Sequence, residues 1–161
     1  MDLGLHGRRA AVAGASSGLG FAAAAALAAE GAHVAICGRD DARLRAAVDT
    51  IRSAEHAGSD AVVAPVVADV GTPDGAAGFI DHAADALGGS PEIVVANAGG
   101  PAPGTFATTT IDDYRAAMEL SFLSTVAMCR AAVPAMQAAG WGRVVAITSV
   151  GARQPIGSLM A

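Results

Sequence analysis

Short apolar runs of strand length alternate with longer, Ala-rich stretches along this chain. The apolar runs occupy residues 10–13, 33–37, 61–67, 93–96 and 143–148. The stretches between them have the length and composition of helices, at 19–30, 40–57, 73–87 and 111–138. Strands that alternate with helices predict βαβ units and therefore a parallel sheet. We expect a doubly wound, Rossmann-type α/β fold with helices on both faces of five strands.

The ends of these helices carry recognisable signals. Glycines stand where the four helices would end, at Gly31, Gly58, Gly88 and Gly140. Glycine commonly ends a helix in this way, because it adopts the left-handed backbone without strain. The fourth helix opens after Thr110 with Asp112 and Asp113 in its first turn. We expect these two acids to cap the helix rather than to form a catalytic pair.

Length and composition indicate one compact domain over residues 1–161. Hydrophobic residues make up 53% of the chain and charged residues 16%, which favours a packed core over disorder. The longest apolar stretch, 21–29, has nine residues, whereas a bilayer span needs about 20. We therefore expect no membrane helix. Because the first cationic residues follow the short apolar pair at the N-terminus, no signal peptide is predicted, and the cytoplasm is the expected compartment.

The charge balance and the metal-binding residue types narrow the class of partner. A net charge of −5 argues against nucleic acid, whose phosphates require clustered cations, and favours a small molecule. The histidines are dispersed without ligand spacing, so no metal site is expected. Cys37 and Cys129 lack C-x-x-C spacing and are predicted to be buried free thiols, although the sequence leaves a disulfide open.

A glycine-rich loop joins the first predicted strand to the first helix. Gly14, Gly18 and Gly20 remove side chains where a pyrophosphate would approach the backbone at a helix amino end. Ser16 and Ser17 add hydroxyl donors, and no acid lies in the loop. We predict that the segment from Gly14 through Leu19 to Gly20 binds a nucleotide. The alternative is a loop whose glycines serve only tight strand–helix packing.

The spacing Gly-x-x-x-Gly-x-Gly carries a resemblance that extends along the chain. Three further motifs follow in order, Asp69-Val70, Asn97-Ala98-Gly99 and Ile147-Thr148-Ser149. With these motifs, the chain resembles the N-terminal part of the short-chain dehydrogenase/reductase family. The resemblance implies that Asp69 and Val70 contact adenine, and that Asn97, Ala98 and Gly99 brace the sheet and pass near the ribose. Ala13 departs from the family's usual Thr.

The end of the second strand bears on the choice between NAD and NADP. Gly38 stands where the family's NAD users carry an acid, and Arg39 follows it. A carboxylate would bind the ribose hydroxyls of NAD and repel the 2′-phosphate of NADP, which arginine attracts. We therefore predict NADP, with a solvated loop charge as the alternative for Arg39. Arg39 also argues against a methyltransferase, which would need an acid near Gly38 to bind ribose hydroxyls.

The resemblance implies a Ser, a Tyr, a Lys and an Asn in the active site, and the chain matches only one of them. Ser149 stands at the position of the substrate-binding Ser, and Ser121 occupies the Asn position. The family's Tyr would fall just beyond Ala161, Tyr114 is the only tyrosine and lies on another element, and the sequence contains no Lys. Residues 151–157 resemble a subgroup in which the Tyr and Lys are often replaced.

Two functions follow from this pattern. The first is an NADP-dependent oxidoreductase, similar to 3-oxoacyl reductases, that acts on a small carbonyl or alcohol substrate and is represented here by its N-terminal part. The second is a nucleotide-binding, non-catalytic or sensor-like protein without the Tyr/Lys pair. The 161 residues alone are expected to show no hydride transfer. A complete family member is expected to form a homo-oligomer, and the fifth strand is expected to leave an open sheet edge.

Overall fold

The protein is a five-stranded parallel sheet between layers of helices. The computed structural model describes residues 2–54, 60–154 and 156–158. The strands of the described residues are β1 (Arg9–Val12), β2 (His33–Gly38), β3 (Val63–Val67), β4 (Ile93–Ala96) and β5 (Arg143–Ala146). Their order across the sheet is β3-β2-β1-β4-β5, which confirms the predicted Rossmann-type fold.

The helices follow the predicted ranges closely. They are α1 (Gly18–Ala29), α2 (Asp41–Ser53), α3 (Pro73–Leu87), α4 (Ile111–Met118) and α5 (Ser124–Ala138). A π-helical turn, Glu119–Leu123, joins α4 to α5 within the predicted helix 111–138. The strand predicted at 61–67 begins at Val63, the one predicted at 143–148 ends at Ala146, and α2 ends at Ser53. Most of the remainder of the predicted helix 40–57 lies outside the described residues.

Each central strand is apolar on both faces because each face is covered by helices. Ala10 and Val12 of β1 pack in one buried cluster with Ala24 of α1. Ala11 of β1 packs in the other, with Phe79 of α3. Side chains alternate along a strand, so a run without polar residues supplies both layers of the core. This explains why the strands appear in the sequence as continuous apolar runs.

The predicted helix ends agree with the structure wherever they are described. Gly31, Gly88 and Gly140 have a left-handed backbone, as expected at helix ends, and Gly58 lies outside the described residues. At the amino end of α4, Thr110 and Asp113 form a reciprocal capping box. Hydrogen bonds from the Thr110 backbone and hydroxyl lower the pKa of Asp113. Asp112 instead pairs with Arg115, so only Asp113 has the predicted capping role.

The two cysteines are free thiols in different surroundings. Cys37 is buried, and this burial raises the pKa of its thiol to about 12, which makes it a poor nucleophile. Cys129 is half-buried on α5, so the prediction that both thiols are buried was wrong for Cys129. The face of α5 toward the core is made instead by Ser124, Met128, Ala132 and Met136.

Helix 111–138 is long and apolar enough to cross a membrane by length and composition. Uninterrupted apolar stretches in the sequence do not reveal this helix, because polar residues interrupt it. Met128 and Ala132 of this helix are buried in the same cluster as Phe79 and Ala83 of α3. The helix therefore serves as a core helix of the fold.

A polar cluster ties together the amino ends of three adjacent strands. Arg8 and Arg9 both form ion pairs with Glu92, whose side chain is 14% exposed. The guanidinium of Arg8 also lies 4.1 Å from the ring centroid of Trp141, and that of Arg143 lies 4.8 Å from it. These contacts link β1, β4 and β5 at one end. β5 is an edge strand whose four residues are all exposed, so these contacts help to hold it against the sheet.

Replacing Glu92 by Gln is expected to lower the free energy of unfolding by about 1–2 kcal/mol at pH 7. Burial raises the pKa of Glu92, but hydrogen bonds from Arg8 and Arg9 outweigh it and hold the pKa below its ordinary value. A carboxylate with a lowered pKa in the fold contributes stability above its unfolded pKa of about 4.3, and loses it as the pH falls through the folded pKa. Urea unfolding at pH 7, 5 and 3 measures the difference, with the exposed Glu119→Gln as control. A difference as large at pH 3 as at pH 7 would contradict this account.

Candidate cofactor site

The candidate site lies where the strand order reverses, between β1 and β4. In open α/β sheets the crevice at the carboxyl ends of such strands is the usual ligand site. β1 leads through the glycine loop, residues 13–20, into α1. Asn97 follows β4, and its Nδ2 donates to the carbonyl oxygens of Ala13 and Gly14, each at 3.2 Å. The structure thus brings two of the predicted motifs into direct contact.

The three glycines of the loop are needed for two different reasons. A Cβ at Gly14 would lie 2.9 Å from Asn97 Nδ2, and one at Gly20 would lie 2.5 Å from the carbonyl oxygen of Gly14. Those two glycines therefore allow the loop to pack on itself and on β4. Gly14 and Gly18 both have a left-handed backbone, but a Cβ at Gly18 would meet nothing within 4 Å. Gly18 is the glycine that leaves backbone open on the outer side of the loop, where a ligand would approach.

The amino end of α1 differs from those of the other helices that begin after a loop. Asp40, Thr72 and Thr110 cap α2, α3 and α4 with their side chains, and each of these helices has an acid in its first turn. At α1, Ser17 is the N-cap residue but makes no side-chain capping bond, and the first turn, wholly within the described residues, has no acid. The free amides at this end therefore form a site for an anion.

The two serines of the loop have free hydroxyl groups. Ser16 is half-buried and Ser17 is exposed. Neither hydroxyl makes a hydrogen bond within the described part of the chain. Leu19, whose side chain is 69% exposed, adds a backbone amide in the first turn of α1. The loop therefore presents hydroxyl and amide donors together on an acid-free surface, which suits a phosphate group.

The motif after β3 contributes a carboxylate and a buried side chain. Asp69 is exposed, and its Oδ1 accepts a hydrogen bond from the Gly71 amide at 2.9 Å. Its other carboxylate oxygen remains available to a donor such as an amine. Val70 is 8% exposed and packs in the core, so only its backbone is available at the edge of the sheet. After Asn97, Ala98 is half-buried and Gly99 is exposed.

The residues at the end of β2 carry positive charge and leave space. Arg39 is exposed and forms no ion pair with any described residue. At Gly38, a Cβ would lie 3.4 Å from Cβ and Oγ of Ser16 and 3.5 Å from Leu44 Cδ1, which are ordinary contacts. The glycine is therefore not required by packing. Its effect is to keep the space beside Ser16 free of a side chain.

A groove of about 460 Å³ runs from the glycine loop along α2. It is lined by Ser16, Ser17, Gly18, Phe21, Arg43, Ala46, Ala47 and Thr50. The sequence interpretation did not include Arg43. The spacing 43, 46, 47 and 50, which is one face of a helix, is the signal that would have indicated it.

The two catalytic candidates, Ser149 and Ser121, lie on different elements and have different hydrogen-bond partners. Ser149 follows β5, is exposed, and accepts a hydrogen bond from the Gly151 amide at 3.1 Å. Ser121 is exposed in the π-helical turn, and its carbonyl oxygen accepts from Thr125 Oγ1 at 2.9 Å. Tyr114 is half-buried on α4. No hydrogen bond between Ser149, Ser121 and Tyr114 occurs in the described residues.

The histidines have contacts of their own. His6 pairs with Asp60, and His33 Nδ1 accepts from the Val62 amide at 3.0 Å. His82 is exposed, and His56 lies outside the described residues. Within 2–54, 60–154 and 156–158, no group of three His, Cys, Asp or Glu residues is placed to hold a metal ion.

Comparison with known proteins gives one consistent family. The family model for short chain dehydrogenases matches residues 8–161. An uncharacterized oxidoreductase of Bacillus subtilis, YvaG, is 32% identical over 155 residues. That match covers 96% of this chain and 56% of the relative. The chain therefore spans a little over half the length of this relative.

Solved structures of similar fold include NADPH complexes. L-sorbose reductase from Gluconobacter frateurii, complexed with NADPH and L-sorbose, is 32% identical with a TM-score of 0.89, over 99% of this chain and 59% of that one. A second NADPH-bound structure is a short chain oxidoreductase from Pseudomonas aeruginosa PAO1 with an atypical catalytic center. It is 32% identical with a TM-score of 0.82, and the match covers 96% of this chain and 60% of that one. An NADH-dependent reductase complexed with NAD is 25% identical with a TM-score of 0.84, over 98% and 67%. Both cofactors thus occur among proteins of this fold.

Proposed function

The chain belongs to the short-chain dehydrogenase family, and on that premise we propose that it forms the NADP-binding part of an oxidoreductase. The reaction is hydride transfer between NADP(H) and a small carbonyl or alcohol substrate, of the 3-oxoacyl reductase type. The protein is cytoplasmic, binds no nucleic acid, and acts as a homo-oligomer in its complete form. When bound, NADP(H) would supply or accept the hydride, and the residues of the glycine loop and of the strand ends would hold it.

The amino end of α1 is the observation that carries this proposal. It has neither a side-chain cap nor an acid, and it stands beside the open backbone of Gly18. The amides of Gly18 and Leu19 would bind the pyrophosphate together with the hydroxyls of Ser16 and Ser17. Uncompensated helix amides at a ligand-binding edge are costly unless an anion or water satisfies them. The fit to a pyrophosphate is thus a property of the backbone itself.

The adenosine half of the cofactor has matching groups at the ends of three strands. Asp69 follows β3, and its free carboxylate oxygen would accept a hydrogen bond from the adenine amine. Asn97, after β4, holds the glycine loop through its two bonds to backbone carbonyls. Ala98 and Gly99, which follow it, would pass near the ribose. Arg39, after β2, has no acidic partner among the described residues and would bind the 2′-phosphate of NADP.

Replacing Arg39 by Ala is expected to weaken NADPH binding about tenfold and to leave NADH binding unchanged, because a charge-assisted pair to phosphate contributes on the order of 1.5–3 kcal/mol. Fluorescence or calorimetric titration of both cofactors measures the two affinities. Arg130→Ala, an exposed arginine on α5, is the matched control. Equal affinities of the unaltered chain for NADPH and NADH, or an unchanged NADPH affinity in Arg39→Ala, would contradict the cofactor proposal.

Two serines are our candidates on the substrate side. Ser149 Oγ accepts a hydrogen bond from Gly151, which leaves its O–H free to donate to a substrate oxygen. Ser121 would hold a water molecule in place of the family's Asn. The chain contains one Tyr and no Lys, so the family's proton-transfer pair is not among these residues. We therefore propose that these 161 residues alone bind the cofactor without catalysing turnover.

Ser121 in place of the family's Asn favours a second candidate function, a nucleotide-binding protein without dehydrogenase chemistry. The two candidates share the cofactor site and differ in the residues that handle the substrate proton. Hydride transfer by the full-length gene product, monitored as NADPH oxidation against a panel of ketones, separates them. The similar structure with an atypical catalytic center supports the first candidate, because a reductase fold can keep NADPH with an altered centre.

A further inference from the structure

We propose that Arg43, on α2, is a second specificity-determining residue for NADP, and that it binds the 2′-phosphate together with Arg39. The proposal rests on the proposed function, since it concerns the same cofactor. It assigns a role to the groove between the glycine loop and α2.

The position of Arg43 is the first argument. It lines the groove together with Ser16 and Ser17 of the glycine loop. Ser16 in turn lies beside Gly38, at the end of β2 and one residue before Arg39. A phosphate that enters the space left free at Gly38 therefore has Ser16 beside it, Arg39 at the strand end and Arg43 on the helix. Two guanidinium groups on separate elements recognise a dianion better than one.

The local charges are the second argument. Two acids, Asp40 and Asp41, lie between Arg39 and Arg43 in the sequence, but neither pairs with the guanidinium group of either arginine. Asp40 Oδ1 accepts from the Arg43 amide at 2.9 Å, as the cap of α2. Asp41 Oδ2 pairs with Arg45 Nε at 2.8 Å. The guanidinium groups of Arg39 and Arg43 have no carboxylate partner in the described residues, so they remain available to an external anion.

The lining of the groove is the third argument. Phe21, Ala46 and Ala47 form an apolar wall beside Arg43. An arginine stem packs well on such a surface while its head remains in water. Arg43 and Arg39 are both exposed, so each guanidinium group is accessible to an external phosphate.

The test compares ligands that differ only in the 2′-phosphate. The unaltered chain and its variants are titrated with adenosine 2′,5′-bisphosphate against 5′-AMP, and with NADPH against NADH. Arg43→Ala is expected to weaken both 2′-phosphate ligands about tenfold, which corresponds to about 1.4 kcal/mol, and to change 5′-AMP and NADH less than twofold. Arg43→Lys, which retains the charge without the planar fork, is expected to recover part of the loss. Arg45→Ala, on the same helix and paired with Asp41, is the matched control and is expected to change nothing.

The outcomes separate this proposal from the one on which it rests. Equal weakening of NADH and NADPH in Arg43→Ala would show a merely structural role and overturn the proposal. The proposal would also be overturned if Arg43→Ala left the NADPH affinity unchanged while Arg39→Ala still weakened NADPH binding. Failure of the unaltered chain to bind either dinucleotide would instead overturn the proposed function itself. Thermal unfolding of each variant shows that its fold is intact.

Discussion

Replacing Gly20 by Ala is expected to abolish dinucleotide binding and to lower the free energy of unfolding by about 2 kcal/mol or more. Gly20 is buried, and an added Cβ would lie 2.5 Å from the carbonyl oxygen of Gly14 and 3.0 Å from that of Ala13. These are backbone atoms, so the loop itself must move. Gly14 is also held by Asn97, and a shift would disturb the contact between the loop and β4. Titration with NADPH and urea unfolding measure the two effects.

Two further glycine variants separate loop geometry from stability. At Gly18 an added Cβ meets nothing, so Gly18→Ala carries only the strain of a left-handed backbone, about 1 kcal/mol. It is expected to weaken binding more than stability, because its Cβ enters the surface that a phosphate would approach. Gly78→Ala, in the open interior of α3, is the control and is expected to stabilise the protein slightly. Normal NADPH affinity in Gly20→Ala would contradict the assignment of this loop.

The fold was predictable because its signals are local and repeated. The strands are buried by helices on both sides, so their apolar runs are conspicuous, and His33 and Ile93 mark strand starts in the sequence and the structure alike. The exact ends of β3 and β5 were less predictable. Val62 is exposed and donates its amide to His33 Nδ1, a contact between distant segments that residue 62 alone does not indicate.

The π-helical turn shows a limit of periodicity as a guide. The sequence predicts one helix over 111–138, and the structure widens it at Glu119–Leu123. Just after this turn, Ser124 and Thr125 donate their hydroxyls to the carbonyls of Leu120 and Ser121. Such back-bonding perturbs a helix locally. These hydrogen bonds depend on side-chain rotamers, which the sequence does not give. Ser121 therefore lies in irregular backbone, which the sequence does not indicate.

The cofactor motifs were readable from the sequence, whereas the groups that surround them were not. Glycine spacing and Arg39 lie in one continuous segment, so the pattern is local. Arg43 acquires its meaning only from the packing of α2 beside the glycine loop. The family resemblance implies that Val70 contacts the cofactor, but its side chain is in the core. Which side of a residue faces a ligand depends on tertiary packing, which a motif does not encode.

Replacing Gly38 by Asp is expected to reverse the cofactor preference, with NADPH bound about 100-fold more weakly and NADH bound slightly more tightly. A side chain fits here, since the added Cβ makes only ordinary contacts with Ser16 and Leu44. The new carboxylate would repel the 2′-phosphate and accept hydrogen bonds from the ribose hydroxyls of NADH. Paired titrations of both cofactors measure the change.

Charge and shape are separated by the uncharged variant Gly38→Asn, which has nearly the same size as Gly38→Asp. If repulsion is the cause, Gly38→Asn retains most of the NADPH affinity, and added salt narrows the difference between the two variants, because the site is exposed to solvent. An equal loss in Gly38→Asn would instead show that the space beside Ser16 is filled by the cofactor itself. In that case Gly38 would select NADP by leaving room for the phosphate, and Arg39 and Arg43 would provide the electrostatic discrimination.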